Sequence, residues 1–110
     1  MGQIGVWENA EPGVKRKIHP PGKALMVMEV RFEAGAEGYE HQHAHEQISY
    51  CLEGELEFRI DGRPVVIRAG ESVVIPGGVR HGVKALRPSA LLDVFTPLRE
   101  DLLGTAPAGR

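Results

Sequence analysis

The chain has 110 residues, a length typical of one domain, and its 13 basic and 15 acidic side chains give a formal net charge of -2. This balance argues against a nucleic-acid or membrane-surface partner, because either would require a strongly basic face. No apolar run reaches the roughly 18 residues of a membrane-spanning helix, and no secretory signal is visible at the N-terminus. Cys51 is the only cysteine, so no internal disulfide can form and we expect a cytoplasmic protein.

Short apolar runs separated by glycine and proline predict many short strands. Residues 1–14 carry no clear period and are expected to form an N-terminal arm or edge segment. The predicted strands are 23–32, 41–52 with an interruption near 44–46, 55–60, 65–67, 72–75, 80–85 and 90–95. Residues 98–103 are expected to form one or two helical turns, and 104–110 a flexible tail. Because no helix of ten residues is indicated, we predict an all-β sandwich or barrel over 15–103.

The prediction of an all-β fold depends mostly on the alternation of apolar and polar residues within two strands. Leu56, Phe58 and Ile60 alternate with charged residues, and the Asp61-Gly62 pair that follows is a strong hairpin signal. In the strand before, the odd-numbered residues from 47 to 51 should face the interior. The even-numbered residues from 48 to 52 would then face outward although they are apolar, and such a face requires cover. Either the N-terminal arm or a second subunit could cover it, and we predict a homodimer.

A cluster of histidines is the first indication of chemistry. Imidazole is the commonest side-chain ligand of first-row transition metals. His41 and His43 are two positions apart, so on a strand they share a face and can bind one ion. Histidine-rich loops also occur without any metal, and the His-Gln-His-Ala-His segment alone leaves both interpretations open.

The residues around these histidines resemble the two sequence motifs of the cupin family. The first motif is matched by Gly35, His41, His43, Gln47 and Gly54, and the second by Gly70, Pro76, Gly78 and His81. Gln47 stands where the motif has Glu, and Ala85 where it has Asn. If the first motif is instead aligned so that His43 and His45 form its histidine pair, the residues at its leading glycine position and at its carboxylate position no longer match.

This resemblance implies a single-domain cupin, a double-stranded β-helix or jelly-roll barrel. It also implies one divalent ion, such as Zn, Ni, Fe, Co or Mn, held by His41, His43, Gln47 and His81. A neutral Gln47 leaves the charge of the ion uncompensated and favours an anionic ligand. The alternative is that Gln47 only forms hydrogen bonds. His45 competes for the same face, unless the loop turns it away or it supports a ligand.

Residues 41–50 and 91–101 resemble, more narrowly, the small cupins of pectin degradation, which linearise 4,5-unsaturated uronates. The resemblance implies a metal-dependent isomerase acting on a small anionic sugar acid, with catalytic roles for Asp93 and Arg99 and substrate contacts from Phe95 and Arg99. Each residue has a plainer interpretation. Asp93 could pair with Arg99 or Arg16, Phe95 could be core, and Arg99 could be a solvated surface residue.

Two other functions remain open at this stage. The barrel could be a binding or sensor module that holds a sugar acid or small anion without turnover. It could also be a cupin-type metal-dependent dioxygenase, although that class favours a Glu ligand at the position of Gln47. The sequence alone fixes neither the metal nor the uronate.

Overall fold

The computed structural model describes residues 3–103, which form ten strands and one short helix. The elements in chain order are β1 (Trp7–Glu11), β2 (Val14–Ile18), β3 (Met26–Phe32), β4 (Glu37–His41), β5 (Glu46–Glu53), β6 (Glu55–Ile60), β7 (Arg63–Arg68), β8 (Ser72–Ile75), β9 (His81–Ala85), β10 (Ser89–Thr96) and α1 (Glu100–Leu103). The predicted tail, residues 104–110, and the first two residues of the predicted arm lie outside the described residues.

The strands form two antiparallel sheets. The large sheet has the order β1-β2-β3-β10-β5-β8, and the small sheet has the order β4-β9-β6-β7. From β3 onward the chain passes repeatedly from one sheet to the other, as it does in a double-stranded β-helix. The prediction of an all-β fold is confirmed.

Several elements lie where alternation and turn chemistry predict them. Strands β6 and β8 have the predicted bounds. The break in the predicted strand 41–52 covers residues 42–45 rather than 44–46, so only His41 of that segment falls in β4, and β5 begins at Glu46. Asp61 and Gly62 have φ values of 51° and 78° and form the predicted tight hairpin between β6 and β7. Both positions need a positive φ, which asparagine, aspartate and glycine tolerate.

The N-terminal hairpin differs from the sequence-based expectation. Strand β1 pairs with β2, and β2 pairs with the edge of β3. Only Val14 and Ile18 of β2 are buried apolar residues, and three basic residues separate them. Strand β2 is held in the sheet more by backbone pairing with β3 than by its own apolar side chains. Its sequence therefore gives almost no alternation signal.

The core lies between the sheets and is built from alternate residues of the facing strands. Strand β3 buries Met26, Met28, Val30 and Phe32, which pack with residues such as Phe58 of the small sheet. Each fully buried apolar side chain contributes about 1.5–3 kcal/mol relative to exposure. These buried apolar side chains therefore stabilise the barrel. The polar residues of the interior lie at one end of it.

Strand β5 shows the predicted two faces. Gln47, Ser49 and Cys51 are buried, whereas Ile48 and Tyr50 are 42% and 40% exposed. Burial also raises the pKa of the Cys51 thiol, which suits a packing residue better than a nucleophile. The homodimer inferred from the outer apolar face stays a prediction, and so does the cytoplasmic location.

Within residues 3–103, no helix is both long and apolar enough to cross a bilayer.

Two glycines with the same backbone conformation allow a test of packing at the β5–β6 turn. Gly54 and Gly70 both have a φ of +89°, but a Cβ on Gly54 would overlap the Ser89 side chain and the Pro88 carbonyl, whereas a Cβ on Gly70 would meet nothing within 4 Å. We expect Gly70→Ala to cost about 1–2 kcal/mol of unfolding free energy from strain, and Gly54→Ala to cost about 1–3 kcal/mol more. Urea denaturation measures both, and equal losses would contradict this account.

Candidate metal centre

Three imidazoles converge at one end of the barrel. His41 ends β4, His81 begins β9, and the two face each other in the register of the small sheet. His43 lies in the loop before β5. One ring nitrogen from each residue lies within 4.8 Å of the others, and the ring centroids are 4.4 to 5.3 Å apart. These three residues could hold a metal ion.

Backbone carbonyls fix the orientation of all three rings. The Nδ1 atoms of His41, His43 and His81 lie 2.8, 3.1 and 2.9 Å from the carbonyl oxygens of Tyr39, His45 and Val79. A carbonyl only accepts, so each Nδ1 carries the proton and each Nε2 presents a lone pair. A neutral histidine needs this arrangement in order to bind a metal ion through Nε2.

His81 has the strongest requirement for a partner at Nε2. The residue is 3% exposed, and its Nε2 atom has no hydrogen-bond partner among the described residues. Burial lowers its pKa to about 4, so the ring is neutral at physiological pH. Burial also lowers the pKa of His43, and the charge of Arg99 adds to the effect. A divalent cation fits these neutral donors because it would satisfy the lone pairs that they present.

Gln47 adds an oxygen to this donor set. Its Oε1 atom lies 3.1 Å from Nε2 of His43, and its amide nitrogen donates to Ser49 Oγ at 2.9 Å. Because Nδ1 of His43 carries the proton, two acceptors face each other across 3.1 Å. A shared cation would turn this unfavourable pair into two ligands.

His45 lies beside His43, with ring centroids 5.5 Å apart, but directs its Nε2 atom elsewhere. Its Nε2 atom lies 3.1 Å from the Leu98 carbonyl, and it does not belong to the group that could share an ion. Its backbone carbonyl nevertheless accepts from His43. Both sequence-based alternatives for His45 therefore describe part of its position: its Nε2 atom is turned to Leu98 and away from the shared donor set, and its backbone supports His43.

Asp93 lies in the interior on β10, opposite Ser49 of β5. Ser49 Oγ donates to Asp93 Oδ1 at 2.5 Å. Burial raises the pKa of Asp93 to about 6, against the opposing effects of hydrogen bonds from Ser49 and Gln47 and the charge of Arg99. Neither arginine considered as an ion-pair partner forms that pair, because Arg16 contacts Glu8 and Arg99 contacts Asp101.

Phe95 and Arg99 lie on the same side of the cavity. The Phe95 ring centroid is 5.9 Å from that of His43, and the Arg99 guanidinium lies 5.1 Å from the Phe95 ring centre. Arg99 is buried, with only 8% exposed, so it is not a solvated surface residue. Its Nε and Nη2 atoms donate to the two oxygens of Asp101 at 3.0 and 2.8 Å, and this contact lowers the pKa of Asp101.

Two of the three clustered histidines line one cavity of about 290 Å³, and His43 lies beside it, next to Phe95. Its polar lining includes His41, Gln47, His81, Asp93 and Arg99. That volume is close to the lower end of the range for small-molecule sites, about 300 Å³. The cavity can therefore take a small ligand in contact with both the histidines and the guanidinium.

Several polar residues of this region were not predicted as site residues, among them Glu11, Tyr39 and Glu40, which line the cavity. Arg16 also lines the cavity, and it was missed because β2 was not predicted. Ser49 bridges Gln47 and Asp93, and its only sequence signal was the alternation that places it on the interior face.

Comparison with known proteins identifies the class. The family model described as Cupin domain matches residues 28–95, more than half of the chain. The chain belongs to the cupin family.

It is also 37% identical over 99 residues to the Pectin degradation protein KdgF of Dickeya dadantii (strain 3937), covering 88% of this chain and 90% of that protein. The resemblance to the cupins of pectin degradation is thereby confirmed.

Two solved structures are similar over nearly the whole fold. KdgF from Halomonas sp. has a TM-score of 0.84 and 36% identity, with 93% of this chain and 99% of that chain covered. An RmlC-like cupin from Shewanella frigidimarina NCIMB 400 has a TM-score of 0.83 and 38% identity, with 91% and 93% covered. These similarities confirm the predicted cupin fold.

Metal binding can be tested without any substrate. We expect Co²⁺ or Zn²⁺ to raise the thermal midpoint of the wild-type protein, because an ion at 100 times its dissociation constant adds about 2.7 kcal/mol to the unfolding free energy. His81→Ala should abolish this stabilisation by removing a ligand from the converging set. His19→Ala is the matched control, since His19 lies beside Glu29 and outside the histidine cluster. Stabilisation of His81→Ala equal to that of the wild type would contradict the assignment.

Proposed function

We propose that this cupin is a metal-dependent isomerase that converts cyclic 4,5-unsaturated uronates to linear 4-deoxy-5-keto uronates. One observation supports this most directly: Asp93, Phe95 and Arg99 line one cavity with His41 and His81, and the His43 ring lies beside Phe95. The similarity to a pectin degradation protein over 88% of the chain supports the choice of substrate class. A uronate is small, anionic and partly apolar, which suits the lining of this cavity.

In this proposal His41, His43, His81 and Gln47 hold one divalent ion. Three nitrogens and one amide oxygen suit Zn, Ni, Fe, Co or Mn. When bound, the ion supplies Lewis-acid chemistry, polarising oxygen atoms of the substrate and stabilising negative charge as it develops. All four donors are neutral, so the protein does not compensate the charge of the ion. The site therefore favours an anionic ligand.

Arg99 binds the substrate carboxylate in this proposal. Asp101 occupies the edge formed by Nε and Nη2, which leaves both hydrogens of Nη1 and one of Nη2 unused by this pair. A second carboxylate can be bound at that free edge through two parallel hydrogen bonds. Asp101 thus holds the guanidinium in place over Phe95 while its other edge recognises substrate.

Asp93 moves protons during ring opening. The carboxylate accepts the proton of the anomeric hydroxyl as the bond between C1 and the ring oxygen breaks, which gives an aldehyde at C1 and leaves the former ring oxygen as an enolate at C5. The protonated Asp93 then gives this proton to C4, and the enolate becomes a ketone, so the reaction has no net gain or loss of atoms. A pKa raised by burial to about 6 suits a group that both accepts and donates near neutral pH.

Turnover provides the direct test of Asp93. The wild-type protein loaded with metal should remove the ultraviolet absorbance of an unsaturated galacturonate faster than buffer does. Asp93→Asn should lower kcat by about 10²- to 10⁴-fold, because an amide cannot exchange the proton. Asp61→Asn makes the same chemical change in the exposed β6–β7 turn and should leave kcat unchanged.

A wild-type rate equal to that of buffer would contradict the proposal. Thermal stabilisation by the uronate without product would favour the binding module instead, and oxygen uptake would favour the dioxygenase.

If Arg99 binds the substrate carboxylate, its substitution should change KM. Arg99→Lys keeps the charge but loses the planar pair of donors, so KM should rise by roughly tenfold to a hundredfold, the equivalent of about 1.5–3 kcal/mol. Arg68→Lys is the control, since the Arg68 side chain is 65% exposed and lies outside the cavity. Steady-state kinetics across substrate concentrations measures both variants. An unchanged KM for Arg99→Lys would exclude Arg99 as the carboxylate-binding group.

A further inference from the structure

We propose that Ser49 is a positioning residue whose hydroxyl sets the orientation of both the Gln47 amide and the Asp93 carboxylate. The inference deepens the proposed function and rests on it for the roles of those two neighbours. No sequence motif singles out Ser49. The assignment comes from its contacts inside the barrel.

Ser49 lies between its two partners in the large sheet. It is two positions after Gln47 on the same face of β5, and it is directly opposite Asp93 of β10. Its side chain is fully buried, so water does not compete for its hydrogen bonds. The Gln47 amide nitrogen donates to Ser49 Oγ at 2.9 Å, and Ser49 Oγ donates to Asp93 Oδ1 at 2.5 Å.

The single proton of the hydroxyl gives this chain of bonds a direction. An ionised carboxylate only accepts, so Ser49 must use its proton on Asp93. Its oxygen is then left to accept, and the group that donates to it must be the NH₂ end of the Gln47 amide. The amide oxygen is consequently the end that turns toward His43, at 3.1 Å from Nε2.

This direction matters because only the oxygen of an amide can serve as a metal ligand. If the amide were rotated by half a turn, its NH₂ group would face the imidazole lone pairs and donate to the atoms that should bind the ion. Ser49 therefore selects the ligand-competent orientation of Gln47. It also fixes the rotation of Asp93 through the same hydroxyl.

Metal affinity tests the inference independently of turnover. Titration calorimetry with Co²⁺ or Zn²⁺ alone should show that Ser49→Ala binds roughly tenfold to a hundredfold more weakly than the wild type, as is typical when a supporting hydrogen bond to a ligand is lost. Ser49→Thr retains the hydroxyl and should restore the affinity. Ser49→Cys retains the volume with a weaker hydrogen-bonding group, so it should also bind weakly, and it replaces the alanine variant if that variant does not fold.

Ser89→Ala is the matched control. Ser89 is another buried serine of the large sheet, with its hydroxyl bonded to the backbone of Glu55 and Arg87, and it lies outside the cavity. Its loss should lower stability and leave metal affinity unchanged. Wild-type affinity in Ser49→Ala, or in Ser49→Cys, would overturn the inference. If the wild type binds metal but does not turn over a uronate, the proposed function fails. Weakened metal binding in the Ser49 variants would still support the positioning role of Ser49.

Discussion

The antiparallel pairing of β4 with β9 is the constraint on which the metal centre depends. It places His41 opposite His81, forty positions later in the chain, so two of the three imidazoles meet through backbone register alone. The third imidazole requires a second contact. The backbone N–H of Gly78 donates to the His43 carbonyl at 2.7 Å, and a Cβ on Gly77 would overlap the Ala44 carbonyl. The turn between β8 and β9 thus holds the His43 loop against the barrel.

The cavity lining carries charges of both signs, because Arg16 and Arg99 are basic and Glu11, Glu40 and Asp93 are acidic. The three histidines and Gln47 offer neutral donors, and Arg99 contributes a positive group whose charge Asp101 partly balances. Asp93 is buried, and burial raises its pKa, while Ser49, Gln47 and Arg99 oppose the shift. A bound cation would add a further positive charge close to this carboxylate. In the proposed function, Arg99 recognises the substrate anion and Asp93 exchanges a proton near neutral pH.

The sequence predicted those parts of the molecule whose physical cause is local. Alternation gave both faces of β5 and the bounds of β6, and the Asp61-Gly62 pair gave the hairpin. Motif spacing gave three histidines that the fold brings together.

Features that depend on contacts with other parts of the fold could not be predicted from the sequence in the same way. Strand β2 has only two buried apolar residues, so its pairing with β3 left no periodic signal, and Arg16 was missed with it. The contact of Arg99 with Asp101 is local in sequence but depends on how the chain turns into α1, and it takes the place of a pairing with Asp93 that the sequence left open.

The two-sided character of β5 limits how the gene can change in length. Deleting or inserting one codon within Glu46–Glu53 would exchange the faces of the strand beyond that point, turning apolar Ile48 or Tyr50 inward and polar Gln47 or Ser49 outward. The candidate metal centre and the apolar core would both be disrupted. The turn at Ala69 and Gly70 is exposed and lies outside the cavity, so length variation among relatives should accumulate there and be absent from β5.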